Sequence, residues 1–121
     1  MIEESFVSFD TAKMLKEAGF DVPCISQYSE RKSIWNVGYP YNFNQDEFGY
    51  SRSTQALAAR WLCEYKMIEV SVAYCRHKKS WYYQVGYLDC KDEDVIFGYD
   101  YASRQYAMEA GLQKAINLIK K

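Results

Sequence analysis

Residues 67–88 read MIEVSVAYCRHKKSWYYQVGYL, and the alternation within this stretch decides the fold. Ile68, Val70, Val72 and Tyr74 fall on one side of an extended chain and Glu69, Ser71, Ala73 and Cys75 on the other, the period of two that marks a half-buried strand. Trp81 to Leu88 alternates again, with Trp81, Tyr83, Val85 and Tyr87 as the bulky set and Tyr82, Gln84, Gly86 and Leu88 as the mixed one. Residues opposite one another in an antiparallel pair share a face, and a one-residue slip sends every valine to the wrong side. The two bulky sets must therefore lie together, and paired residue numbers must add to an odd total. A two-residue turn wants glycine or Asn-Gly for positive φ, which His-Lys and Lys-Lys do not offer, so a four-residue loop from His77 to Ser80 is expected. Val72 then faces Val85, Tyr74 faces Tyr83 and Arg76 faces Trp81.

Upstream, Ser53 opens a helical pattern of about 54–66 in which Leu57, Ala58, Trp61, Leu62 and Tyr65 make an apolar stripe and Gln55, Arg60, Glu64 and Lys66 take the other face. An earlier helix over about 9–18 has Ser8 as its cap, Asp10 in its first turn, Ala12, Leu15 and Ala18 at helical spacing and Gly19 just past its end. Phe20, Val22 and Pro23 then turn the chain, because the residue before proline avoids α geometry. CISQY and SIWNV read as two short strands around the polar turn Ser29 to Lys32, and YPYNFNQDEFGY (39–50) as an irregular loop. Downstream, the acidic Asp89 to Asp94 makes a turn and Val95 to Tyr99 a short strand. Ser103 caps a last helix of about 104–119 with Met108, Leu112, Ala115 and Ile119 on one stripe, and Lys120 and Lys121 suit its C-terminal dipole end.

These elements, in the order α-ββ-α-βββ-α over 121 residues, predict a single α+β domain: one mostly antiparallel sheet of about five strands with three helices packed on one face. The 15 Lys and Arg against 16 Asp and Glu leave a net charge of −1, so the whole molecule has no cationic field to draw it onto a phosphate backbone. Cys24, Cys63, Cys75 and Cys90 form no C-x-x-C pair, and His77 is the one histidine, which predicts free thiols, no metal site and no cofactor. The start MIEESFVSF is acidic with no long apolar run, the composition of a cytoplasmic chain that neither carries a signal peptide nor meets a membrane.

The hairpin tip offers the sharpest functional candidate. Arg76, His77, Lys78 and Lys79 could hold phosphates while Trp81 or Tyr83 stacks a base, the pairing used by single-strand binders. The simpler account is a solvated tip in which Arg76 covers the ring of Trp81, a contact worth about 0.5–1 kcal/mol when exposed. Helix, three strands, helix from Ser53 onward is also the order of the double-stranded RNA-binding domain. That type needs a lysine cluster at the start of its last helix, where Ser103, Arg104, Gln105 and Tyr106 stand here. Cys75 and His77 make a poor nucleophile and base, since the histidine falls in the loop, and KDEDV lacks the alternation and glycine of a calcium loop. No catalytic residue is assigned. The Tyr39 to Tyr50 segment remains a candidate wall for a small-ligand pocket, or a satellite core at the sheet's open end.

Three blocks, VSFDTAKMLKEAGFDVPC at 7–24, STQALAARWLCEYKMIEV at 53–70 and YAMEAGLQKAINLI at 106–119, occur in an order that resembles a family of small proteins of gut Bacteroidales genomes, their phages and mobile elements. The resemblance is most specific in Gln55 to Leu62 and Glu109 to Leu112, and it departs where members show Ala-Pro before the second helix and Arg52 and Ser53 stand here. No assigned activity comes with that family; what the resemblance implies is an accessory protein of phage or mobile-element type.

A sheet face half covered with tyrosine and small residues, here Ser71, Ala73, Cys75, Tyr82, Gln84 and Gly86, is more often buried against a partner than left wet. The expected function is therefore that of a non-enzymatic protein acting through a protein partner or as a homodimer. A nucleic-acid binder using the Arg76 to Tyr83 hairpin, and an enzyme or ligand pocket at Tyr39 to Tyr50, are the competing classes.

Overall fold

The computed structural model describes residues 5–119. Helix α1 spans Phe9–Glu17, and its start and stop are both local chemistry. The Ser8 hydroxyl accepts the Thr11 N–H at 3.2 Å, satisfying one of the donors a helix start leaves open. At the other end Gly19 adopts φ +95°, and the N–H groups of Gly19 and Phe20 return to the carbonyls of Lys16 and Leu15 at 3.1 and 2.9 Å. That pair of bonds is a Schellman closure, and it folds Phe20 back beside Leu15 in the core. Helix α2, Gln55–Lys66, is capped by Thr54, which accepts the Leu57 N–H at 3.1 Å; it ends where Met67 turns left-handed at φ +59°. Helix α3, Arg104–Ile119, is capped by Ser103, whose hydroxyl accepts the Tyr106 N–H at 3.1 Å. Lys120 and Lys121, expected at its dipole end, lie outside the described residues.

Among the described residues the strands form two three-stranded antiparallel sheets, which corrects the single sheet expected from the sequence. The first is built from β1 (Cys24–Ser29), β2 (Ile34–Tyr41) and β3 (Gly49–Ser51) in the order β2-β1-β3. The second is the meander β4 (Ile68–Cys75), β5 (Ser80–Tyr87) and β6 (Ile96–Tyr101). Two causes separate expectation from structure. Strand β3 has only three residues, too few for alternation to show inside an aromatic-rich segment. The helices, moreover, are shared between the sheets rather than stacked on one: α3 lies on β4, β5 and β6, α2 touches α3 and β4, and α1 reaches from α3 to β3. The chain's start joins in, since Phe6 bridges Thr54 and the Val7 N–H donates to the Ser53 carbonyl at 2.9 Å.

One core cluster joins both sheets through the helices. Val7, Leu15, Phe20, Leu62, Ile68, Val85, Leu112 and Ile116 are fully buried, each worth about 1.5–3 kcal/mol for its apolar side chain. Trp61 anchors α2, meeting the Phe20 ring edge-to-face at 5.2 Å. Two assignments on α2 change. Tyr65 shares the stripe's azimuth but lies in the last turn, where the chain is already turning away through Met67, and it is 70% exposed. Gln55, expected among the polar face, is buried, and its side-chain amide donates to the Gln105 carbonyl at 3.1 Å and to Glu109 Oε1 at 3.2 Å.

Candidate functional site

Strands β4 and β5 pair as Val70 with Val85, Val72 with Tyr83, Tyr74 with Trp81 and Cys75 with Ser80. The totals are odd, so the bulky sets share a face as the alternation requires. The register, however, is one pair further along than expected: the four-residue loop is Arg76 to Lys79, not His77 to Ser80. This arrangement keeps all four cationic or imidazole side chains off the ladder and exposed. It also sets Tyr74 against Trp81 edge-to-face at 5.5 Å, with Lys79 closing the turn at φ +55°.

The inward face of β4 and β5 belongs to α3: Ile68, Val70, Tyr83 and Val85 are buried under it. Tyr83 and Trp81, grouped by the sequence with the lysines as base-stacking residues, are therefore on the core side. The stacking role expected of Tyr83 is corrected by its burial, whereas Trp81 shares that side but stays partly exposed; the expected Arg76 to Trp81 pairing is corrected by the register, in which Trp81 faces Tyr74. The outward face carries Ser71, Ala73, Cys75, Tyr82, Gln84 and Gly86, the set expected to meet a partner.

Strand β6 completes that face through a bulge. Trp81 pairs with Tyr101 but Tyr83 with Gly98, so Tyr99 and Asp100 together oppose Tyr82, and Asp100 takes the left-handed conformation at φ +72°. The extra residue turns Tyr101 inward, where its ring meets Tyr83 at 5.8 Å, while Phe97 and Tyr99 stay outward. Tyr82 then stacks on Tyr99 at 5.4 Å and meets Phe97 at 6.4 Å, and Phe97 and Tyr99 are nearly parallel at 6.0 Å. Lys78 reaches back from the tip to place Nζ 4.3 Å from the Tyr99 ring centre. Phe97 and Tyr99 are the functional candidates that sequence reasoning missed. The signal was present in the alternate positions of the short strand that follows the acidic turn.

The face is asymmetric along the strands. Its tip end holds the exposed Arg76, His77, Lys78 and Lys79, with the rings of Tyr82 and Tyr99 next to them and Phe97 at mid-strand opposite Gln84. The other end is a hollow of about 310 Å³ lined by Glu69, Ser71, Gln84, Gly86, Cys90 and Asp92, and the exposed Asp89, Glu93 and Asp94 belong to the same acidic turn as Cys90 and Asp92.

The remaining candidates look structural. In the Tyr39 to Tyr50 segment Phe43 is buried, and the Asn44 amide donates to the Phe20 carbonyl at 2.8 Å while its oxygen accepts the Ser51 N–H at 2.9 Å. Lys16 donates to the carbonyls of Asp46 and Gly49 at 2.6 and 2.7 Å, so this segment is packed against α1, and its residues Asp46 to Gly49 line a hollow of about 320 Å³ with Gln27, Ser29 and Trp35. Burial pushes the Cys24 thiol up to about 11, against a smaller opposing effect from Ser51, so it stays protonated and unreactive at neutral pH. Cys63 is also raised, chiefly by its hydrogen bond with Glu69. Among the described residues no three His, Cys, Asp or Glu side chains converge as a metal site, and no helix is long and apolar enough to cross a membrane. No protein-family model, curated protein or solved structure matches the chain.

Proposed function

We propose that this chain is a non-enzymatic binding protein whose working surface is the outer face of β4–β5–β6. The observation that carries the reading is the contiguous set of stacked rings Phe97, Tyr82 and Tyr99 on the face that the helices leave open. Phe97 and Tyr99 are each more than two-fifths exposed, although both are large enough to stabilise a core. Rigid aromatic side chains with few rotatable bonds are the residues that anchor protein interfaces, and clustered rings lose little entropy on being covered. In the setting implied by the three sequence blocks, that of a phage or mobile-element accessory protein, such a face serves assembly with another protein chain.

Charge argues for protein over nucleic acid as the partner. A single strand stacking on these rings would find Lys78 and Lys79 at one end, but following the eight-residue strands for roughly 25 Å it would meet Glu69, Asp89, Asp92, Glu93 and Asp94. Photo-crosslinking from Phe97, replaced in cells by a photoreactive phenylalanine analogue, distinguishes the two. Adducts that protease removes and nuclease leaves intact are expected; nuclease-sensitive adducts, or none, would overturn the reading.

A further inference from the structure

We infer that the protein occupying this face is a second copy of the same chain, docked face to face about a two-fold axis that lies between the two sheets, parallel to their planes and perpendicular to the strands, so that the strands of the two copies run in opposite senses. The inference rests on the binding role proposed above and names the partner. A two-fold interface requires a surface that complements itself, each feature at one end matched by its counterpart at the other. This face has that property in both charge and shape. Toward one end the rings of Tyr82 and Tyr99 stand up from the sheet, with Phe97 next to them at mid-strand opposite Gln84, Lys78 over Tyr99, and Arg76, His77 and Lys79 at the tip. At the other lies the hollow of about 310 Å³, lined by Glu69, Ser71, Gln84 and Asp92, with Cys90 and Val95 lying over Gly86, and the exposed Asp89, Glu93 and Asp94 belong to the same acidic turn. Half a turn about that axis brings the rings and lysines of each copy over the hollow and carboxylates of the other. A parallel stacking would instead set lysine tip on lysine tip and acid loop on acid loop, an arrangement that like-charge repulsion disfavours.

The size of the face places it among small interfaces. Three strands about 4.8 Å apart and roughly 25 Å long give a footprint near 350 Å², below the ~800 Å² per partner of a standard interface until the tip and acid loops are added. Such a dimer belongs to the weak, concentration-dependent class, held together partly by charge and weakened by salt.

Sedimentation velocity over a concentration series tests this with three samples. Wild-type protein is expected to pass from monomer to dimer with rising concentration, less readily at high salt. The tip variant Lys78→Glu/Lys79→Glu and the loop variant Asp92→Lys/Glu93→Lys each put like charges at both contacts, and each alone is expected to dimerise at least about tenfold more weakly. Mixed in equal amounts, they present acidic tip to basic loop and basic tip to acidic loop, and dimer should return. Unchanged melting temperatures establish that the exposed substitutions leave the fold intact. A wild-type chain that stays monomeric throughout, reversals without effect on dimerisation, or a mixture that fails to recover would each overturn the inference. Protein adducts from Phe97 to a different chain would leave the binding role standing while removing the second copy, so the two failures are distinguishable.

Discussion

The ring of Tyr83 lies over the Cα of Gly98, its partner across the β5–β6 ladder, so closely that a methyl group built on Gly98 would fall 2.1 Å from the ring carbon Cε2. On its other side the same residue backs onto α3, where a methyl group on Gly111 would meet Tyr83 Cβ at 3.1 Å and Val70 Cγ1 at 3.0 Å. Tyr83 is thus held between two glycines, one on an edge strand and one on a helix. An aromatic ring covering a cross-strand glycine also protects the exposed backbone of an edge strand.

Gly98→Ala should therefore destabilise the protein by about 1–3 kcal/mol, because the ring can move away from β6 only by pressing into α3. Gly38→Ala, with no heavy atom within 4 Å of the added methyl, should be close to neutral. Urea unfolding of the two variants checks the contrast, and equal effects would contradict this packing.

A second prediction concerns Glu109. In a capping box the residue three after the N-cap is glutamate, which accepts the N-cap N–H; here that residue is Thr11. The missing carboxylate comes from α3. Glu109 Oε2 accepts the Ser8 N–H at 3.0 Å, the Ser8 hydroxyl at 2.6 Å and the Thr11 hydroxyl, while Oε1 accepts from Gln55. Glu109→Ala removes the acceptor for all of them and should cost about 1–3 kcal/mol, with the loss of hydrogen-exchange protection concentrated at the start of α1. Glu109→Gln retains one acceptor oxygen and should lose less.

Local chemistry was legible in the sequence: Ser8, Gly19, Ser103 and the alternation of 68–75 and 81–87 lead directly to the caps, the turn and the shared face. What was not legible depends on tertiary partners. The parity of the β4–β5 register follows from burial, but moving it by one pair keeps every side chain on its face, so pattern alone cannot choose between Arg76 and His77 as the loop's first residue. Glu109 and Gln55 look like ordinary polar helix positions until α1 and α2 are brought against α3. The bulge at Tyr99 and Asp100 has no glycine to announce it, and without it Tyr101 would be assigned to the same face as Phe97 and Tyr99. The proposed binding face is half visible in the sequence: Tyr82 and Gln84 come from β5, whereas the rings of Phe97 and Tyr99 that complete its aromatic surface come from β6.

Cys24 predicts a pH dependence. Burial holds its thiol at about 11, above the ordinary value of 9.0. A group whose folded pKa is raised contributes stability that is fully present below the unfolded value and is lost as pH rises through the folded one. Stability should accordingly decline between about pH 9 and pH 11, and Tyr83, raised by burial and then by Tyr101, acts in the same direction. Denaturant titrations across that range should show a shallower decline for Cys24→Ala than for the wild type, and a decline of the same depth would remove Cys24 as a contributor.

Lys16 predicts which part of the aromatic segment depends on α1. Its ammonium group donates to the carbonyls of Asp46, Glu47 and Gly49 at 2.6, 3.2 and 2.7 Å and sits 4.7 Å from the centre of the Tyr50 ring. Three backbone acceptors gathered on one cation resemble the closure of a helix C-terminus, and they explain how a segment with little regular structure holds β3 in register beside β1. Lys16→Met keeps the aliphatic stem and removes only the donors, so the core should survive with a loss of about 1–2 kcal/mol. The change should appear locally, as faster amide exchange and faster proteolysis between 46 and 51, while β4–β5–β6 remains as protected as in the wild type. Equal loss of protection in both sheets would mean that the first sheet does not open on its own.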